Sequence, residues 1–186
     1  MAPGATYIGL DTIHAKAHFG YEMPDTLYYD GNTWPIADET LDYILCTETL
    51  EHVLHPESML AEAHRCLRPD GRMMITVPFS ARWHFIPYDF WRYTPASLKY
   101  LLEQAGFKHI TVYARGNALT VACYKNMALF LPLLFSPFAN PLVRMVARLA
   151  GIVCLPILLA LATVGNLSLL GGGGDDCLGY TVFTHR

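Results

Sequence analysis

The sequence predicts an α/β domain: a doubly wound, open and mostly parallel sheet with a hydrophobic helical insertion before its last strand. Three observations predict it. Short apolar runs alternate with helix signals through the first 125 residues, the pattern of parallel strands joined by crossover helices. The strongest of these runs lack polar alternation, as strands buried on both faces do. Charge then nearly vanishes, because after Lys125 the only charged residues are Arg144, Arg148, Asp175, Asp176 and Arg186.

The elements follow in order. Residues 7–10 (YIGL) and 27–29 (LYY) are short strand candidates, each followed directly by an acid, Asp11 and Asp30. Residues 41–46 (LDYILC) and 72–77 (RMMITV) are stronger strands. Between them the sequence predicts a helix over 56–68. Pro56 opens its first turn, Leu60, Ala63 and Leu67 share a face, Arg65 and Arg68 lie near its end, and Pro69-Asp70-Gly71 stops it. A second helix has Thr94 as N-cap, Pro95 at its first position, Leu98, Leu101, Leu102 and Ala105 on one face, and Gly106 as stop. Residues 109–114 and 180–185 complete the strands. The expected division is 1–125 for the α/β domain, 126–174 for the insertion with its glycine linker, and 175–186 for the final strand.

Composition narrows the function. With 53% hydrophobic and 16% charged residues over 186 positions, the chain can bury a core and is not disordered. A net charge of −3 gives no basic surface for phosphate backbones, so no nucleic-acid partner is expected. Five cysteines without a C-x-x-C pair or a leading signal peptide point to free thiols in a reducing, cytoplasmic compartment.

In a doubly wound sheet, ligands sit beyond the carboxyl ends of the strands. The residues there are Asp11, Asp30, Thr47, Glu48, Glu51 and His52, then Phe79 and Ser80 leading into an aromatic run. A carboxylate ending a strand can accept from both ribose hydroxyls, and one after the next strand can accept from an adenine amino group. Such an acid also serves as a plain turn former or helix cap.

The run DGNTWPIADETLDYILCTETLEHVLHP (30–56), then EAHRCLRPDGR (62–72), then QAGF (104–107) resembles the class I S-adenosylmethionine-dependent methyltransferases, in the branch with an L-E-H-V signature. The resemblance covers roughly residues 7–116, and 178–186 resemble the family's last strand. It implies a Rossmann-like fold and S-adenosylmethionine as cosubstrate. By position it assigns Asp11 to the ribose, Asp30 with Gly31 and Asn32 to the adenine side, and Thr47 with Glu48 to the methionine side. The segment from Tyr88 to Thr94 resembles one that borders the acceptor pocket in relatives acting on sugars or other small acceptors, which makes His84, Tyr88, Trp91 and Arg92 the expected acceptor-side residues. The family's glycine-rich loop precedes the ribose acid by about 20 residues and so falls ahead of Met1. The expected sheet is therefore N-terminally truncated, and Met1–Thr6 holds no substitute for the loop.

Methyl transfer to such an acceptor rests mostly on alignment, with a base to take the acceptor's proton. His52 is the first candidate base and Asp89 the second, with His55 and His84 behind them. The plainer reading has His52 capping backbone carbonyls and Glu51 orienting a helix. Glu48, His52 and His55 also share a helical spacing, but with no H-E-x-x-H pattern no metal is expected. Trp83, Phe85, Tyr88, Phe90, Trp91 and Tyr93 form either a pocket wall or a loop packed over the sheet edge.

The insertion contains Leu149–Leu170, 22 residues without charge, about 33 Å if helical. The chain must return to its sheet, so a hairpin lying in or on a membrane fits better than a single crossing, with Arg144 and Arg148 on one helical face toward headgroups. Helices packed on the domain or on a second copy are the alternative. The expectation is thus methyl transfer to a small-molecule, sugar or lipid-linked acceptor at the inner face of a membrane through 127–170. The rival is a non-catalytic, membrane-associated scaffold. A nicotinamide-dependent oxidoreductase on a similar sheet fits 30–72 less well.

Overall fold

The structure is a computed structural model and describes residues 4–15, 17, 20, 23–135 and 137–186. Of the Met1–Thr6 stretch only residues 4–6 are among them. Among the described residues six strands form two sheets. In the first, β1 (Gly9–Thr12) pairs in parallel with β2 (Thr26–Tyr29), Asp11 lying opposite Tyr28. The second has the order β3-β4-β6-β5, with β3 Leu41–Thr47, β4 Leu67–Pro78, β5 Lys108–Arg115 and β6 Gly179–His185. In that sheet only β6 runs against the others, inserted antiparallel between β4 and β5. This is the mixed, mostly parallel α/β arrangement that the alternation of strand and helix signals predicts.

Helix α1 (Pro56–Cys66) carries the chain from β3 to β4, and α2 (Pro95–Gln104) from β4 to β5. Thr94 caps α2 through a full capping box with Ser97. Together α1 and α2 close one face of the four-stranded sheet. Leu60, Ala63, Leu98 and Leu102 bury against Ile44, Cys46, Met73, Ile75, Val77, Tyr180 and Val182. The opposite face leaves Tyr43, Leu45, Tyr113 and Phe183 exposed.

Helix α1 stops two residues short of the expected end, and the residues read as its stop belong to a strand. Leu67 already pairs with Leu41, and the register then shifts so that Tyr43 faces Arg72. The residues from Arg68 to Gly71 are looped out as a bulge, and a Cβ at Gly71 would lie 2.9 Å from the Arg68 carbonyl. Strand β1 is also displaced by two residues from the expected 7–10, which places Asp11 inside the strand.

The segment 34–38 is fastened to α1 by Arg65. Its guanidinium donates to the carbonyls of Trp34 and Ile36 and pairs with Glu62 at 2.7 Å and Asp38 at 2.5 Å. Glu62 in turn accepts from the Trp34 N–H. This holds β2's exit against the core that carries β3.

After β5, Asn117 caps α3 (Ala118–Leu134), and α4 (Pro141–Ser168) returns beside it. The helix begins at Ala118, ahead of the apolar stretch that marks it in the sequence. The buried residues of α4, Ala147, Gly151, Leu158 and Gly165, form a single stripe. Its two glycines let the helices approach closely: a Cβ at Gly151 would meet the Leu134 nitrogen at 2.8 Å, and one at Gly165 the Cys123 Cβ at 3.1 Å. Most of the remaining surface of α4 is apolar and exposed, including Leu142, Val146, Leu149, Ile152, Val153 and Leu159. Among the described residues α4 is the one helix long and apolar enough to cross a membrane.

Candidate active site

The acids expected at the strand ends are there. Asp11 is half-buried in β1, one residue before its end, and its Oδ1 accepts the Thr12 N–H at 2.7 Å. Asp30 follows β2 directly and makes an Asx turn, accepting the Asn32 N–H at 3.0 Å and its side-chain amide at 3.1 Å. Those bonds hold the Asp30 carboxyl below the usual range. Gly31 between them has a φ of +94°, which a side chain would strain. The Tyr29 hydroxyl is pushed up by burial and by the charges of Asp11, Cys46 and Asp30. Thr47 closes β3, and Glu48 turns the chain with a φ of +48°. Here sequence reasoning missed a partner: Arg115 pairs with Glu48 at 2.6 Å and donates to the Val77 carbonyl at 2.9 Å.

Beyond β3 a 3-10 turn, Leu50–His52, is stitched to the aromatic run. The Glu51 carbonyl accepts from the N–H groups of Phe90 and Trp91, the Leu50 carbonyl from the Tyr93 hydroxyl, and the Val53 carbonyl from the Trp91 indole. His52 Nδ1 donates to the Tyr88 carbonyl at 2.6 Å. That bond fixes the neutral tautomer with its lone pair on Nε2. The aromatic run is therefore anchored at the strand ends. Tyr93 is buried, while Trp83, Tyr88, Phe90 and Trp91 stay exposed. A cleft of about 290 Å³ is lined by Ala81, Trp83, Asp89, Phe90, Trp91 and Arg92.

Two buried carboxylates stand beside His52 and differ in kind. Asp89 is fully buried and bound by both terminal nitrogens of Arg92, at 2.6 and 2.7 Å. It also accepts the His84 N–H. Arg92 holds its carboxyl down to about 2, so Asp89, expected as the second base, is instead an anchor for Arg92 and His84. Glu51 is equally buried, yet among the described residues neither carboxylate oxygen has a hydrogen-bond partner. His52 Nε2 stands 3.7 Å from Glu51 Oε1. Burial pushes the Glu51 carboxyl up. The His84 ring meets that of His52 edge to face at 5.0 Å. Glu48, His52 and His55 are not drawn together, since Glu48 is engaged by Arg115 and His55 pairs with Glu57 at the surface.

A family model described as a methyltransferase domain matches residues 2–112. The chain belongs to this family of methyltransferase domains. An uncharacterized 37.1 kDa protein in transposon TN4556 of Streptomyces fradiae is 28% identical over 96 residues, 48% of this chain and 27% of that protein. Among solved structures, an S-adenosylmethionine-dependent methyltransferase from Archaeoglobus fulgidus superposes with a TM-score of 0.53 at 16% identity, covering 96% of this chain and 75% of that one. A protein of Galdieria sulphuraria assigned as a sarcosine dimethylglycine methyltransferase gives 0.51 at 16% identity, covering 86% of this chain and 58% of that one. These likenesses show the fold. The methyltransferase chain thus spans about a quarter of the curated relative and more than half of these two structures.

The residues present fit the nucleoside portion of the family's cosubstrate, S-adenosylmethionine. Asp11 commits one carboxylate oxygen to Thr12, Asp30 is preset as an anion on the rim, and both have acceptor capacity beyond the bonds they make. Arg115 is the site residue that sequence reasoning passed over, whereas Glu51 is named there past β3 but only as orienting a helix. The E-H pair in the L-E-H-V run is the signal that marks Glu51, whereas Arg115 is 67 residues from its partner and carries no local signal.

Proposed function

We propose that this chain takes part in S-adenosylmethionine-dependent methyl transfer to a lipid-linked or other small acceptor, sugars included, at the cytoplasmic face of a membrane. The observation that carries the reading is the row of acids closing β1 and β2 with the Glu51, His52 and His84 cluster just past β3. The cosubstrate, when bound, supplies an electrophilic methyl carbon. The chain's own role is to hold the ribose with Asp11 and the adenine side with Asp30, Gly31 and Asn32, and to align the acceptor beside Tyr88, Trp91 and Arg92. Relieving the acceptor of its proton falls to the histidine cluster, since Asp89 is committed to Arg92.

A lipid-linked acceptor is favoured by a groove of about 560 Å³ between α3 and α4. Leu131, Phe135, Leu155, Leu158 and Leu159 line it, and Arg82 of the aromatic run is its one charged lining residue. An acyl or prenyl tail suits the groove, and an anionic head suits Arg82. Membrane contact is supported by the exposed apolar surface of α4, where Arg144 and Arg148 share one face at i and i+4.

The test is calorimetry of S-adenosylmethionine against the full chain in detergent, on the wild type and on Asp11→Ala. Binding that is lost in the variant supports the reading. A folded chain without binding removes it and leaves the scaffold. Sedimentation with anionic vesicles tests membrane attachment separately, and a concentration-dependent dimer without vesicle binding assigns the apolar surface to a second copy.

A further inference from the structure

We propose that Glu51, His52 and His84 form a binding site for a divalent transition-metal ion of the zinc class. One ligand atom from each lies within 4.8 Å of the others. A tetrahedral ion with bonds of about 2.0–2.2 Å keeps its ligands about 3.3–3.6 Å apart, so the three close on it with small side-chain movements.

Both imidazoles are already oriented as metal-binding histidines are. His52 Nδ1 meets the Tyr88 carbonyl at 2.6 Å, and His84 Nδ1 meets the Arg82 carbonyl at 3.0 Å and Asp89 Oδ2 at 3.2 Å. Donation of each Nδ1 proton to those acceptors leaves the Nε2 lone pairs for a ligand. A carbonyl or carboxylate behind the ring is the usual support of a metal-binding histidine. Arg92 also approaches His84 Nδ1, at 3.4 Å, a longer contact than either acceptor makes.

The independent observation is Glu51. Its carboxylate is 0% exposed, and both oxygens lack a hydrogen-bond partner among the described residues. Its own backbone N–H is near but makes no proper hydrogen bond; a buried carboxylate so placed is costly and rare, and a cation supplies what the surrounding side chains do not. Its neighbours are otherwise committed: Arg92 to Asp89, and Arg115 to Glu48. The backbone bonds from Phe90 and Trp91 to the Glu51 carbonyl hold the turn and the loop in register, so the three ligands are presented by a braced frame. Two imidazoles and a carboxylate are the donor set of zinc sites that keep a fourth position open. With the metal bound the imidazole lone pairs are ligands rather than bases, and the open position would bind an acceptor hydroxyl and acidify it so that its proton passes to solvent; that use rests on the methyl-transfer reading, whereas the site itself does not.

The experiment titrates zinc into the chelator-stripped full chain in detergent, without S-adenosylmethionine or acceptor, and records the visible spectrum with cobalt(II) in zinc's place. One equivalent should bind, with the cobalt bands of a four-coordinate nitrogen and oxygen site. His84→Gln and Glu51→Gln should each weaken zinc binding by more than about 100-fold, and Asp89→Asn by about 10–100-fold. Circular dichroism in chelator establishes folding, and if Glu51→Gln does not fold, the half-exposed His84 decides. No saturable binding by the folded wild type, or unchanged affinity in folded His84→Gln, overturns the site. Because S-adenosylmethionine binding is measured separately, either reading can fail without the other.

Discussion

The guanidinium of Arg115, at the end of β5, meets the carboxylate of Glu48, just past β3, at 2.6 Å across the carboxyl edge of the sheet. The same nitrogen donates to the Val77 carbonyl of β4, so one side chain ties three strand ends. Both partners are partly exposed, which makes the ion pair itself weak. Arg115→Met should cost about 1–2 kcal/mol, because the Val77 bond goes with it, while Glu48→Gln should cost less than about 1 kcal/mol. Thermal melts of the two variants and their double mutant check the order and the coupling.

His64 on α1 should make stability fall as pH drops below about 6.5. Its ring packs edge to face on Phe107 at 5.2 Å, and burial, with Arg186 and Lys108 behind it, lowers its proton affinity in the fold. The unfolded chain therefore takes up the proton first. The contribution is complete above the unfolded value near 6.5 and is lost as pH falls through the lower folded value. His64→Gln should flatten that region of the curve in urea unfolding series run across the window.

Gly151 marks a close approach of α3 and α4. Gly151→Leu drives a side chain into the Leu133 and Leu134 backbone and should cost about 1–3 kcal/mol in the packing of the two helices. Protease cleavage in the connection 135–140 should rise accordingly. Gly172→Ala is the control, since a Cβ there meets nothing within 4 Å, and its digestion pattern should match the wild type.

What the sequence makes legible is what is decided locally. The Thr94-Pro95 start, the apolar runs of β3, β4 and β6 and the acids Asp11 and Asp30 are signalled by neighbours in the chain, and the structure has them. The bulge at Arg68–Gly71 is hidden because Pro-Asp-Gly reads equally as a helix stop, and only pairing of Leu67 with Leu41 distinguishes the two. The long-range half of the site is hidden for the same reason. His52 finds its acceptor 36 residues away, and nothing in the L-E-H-V run reveals that Glu51 ends buried without a partner. Asp89 is legible as an acid in an aromatic run, but its commitment depends on the loop folding Arg92 back on it.

Arg115 and Gly179 are register partners, and the hairpin leaves β5 and rejoins β6 at that pair. A pull on the hairpin therefore reaches the sheet at one end of one strand pair. Loaded in that direction, the Gly174 N–H on the Gly116 carbonyl outside the ladder gives first, and the ladder bonds then break in succession, starting with the Leu178 N–H on the Arg115 carbonyl. Arg115 is thus a mechanical stop as well as a strut: the first rung to feel force is the one whose side chain is moored to two other strand ends.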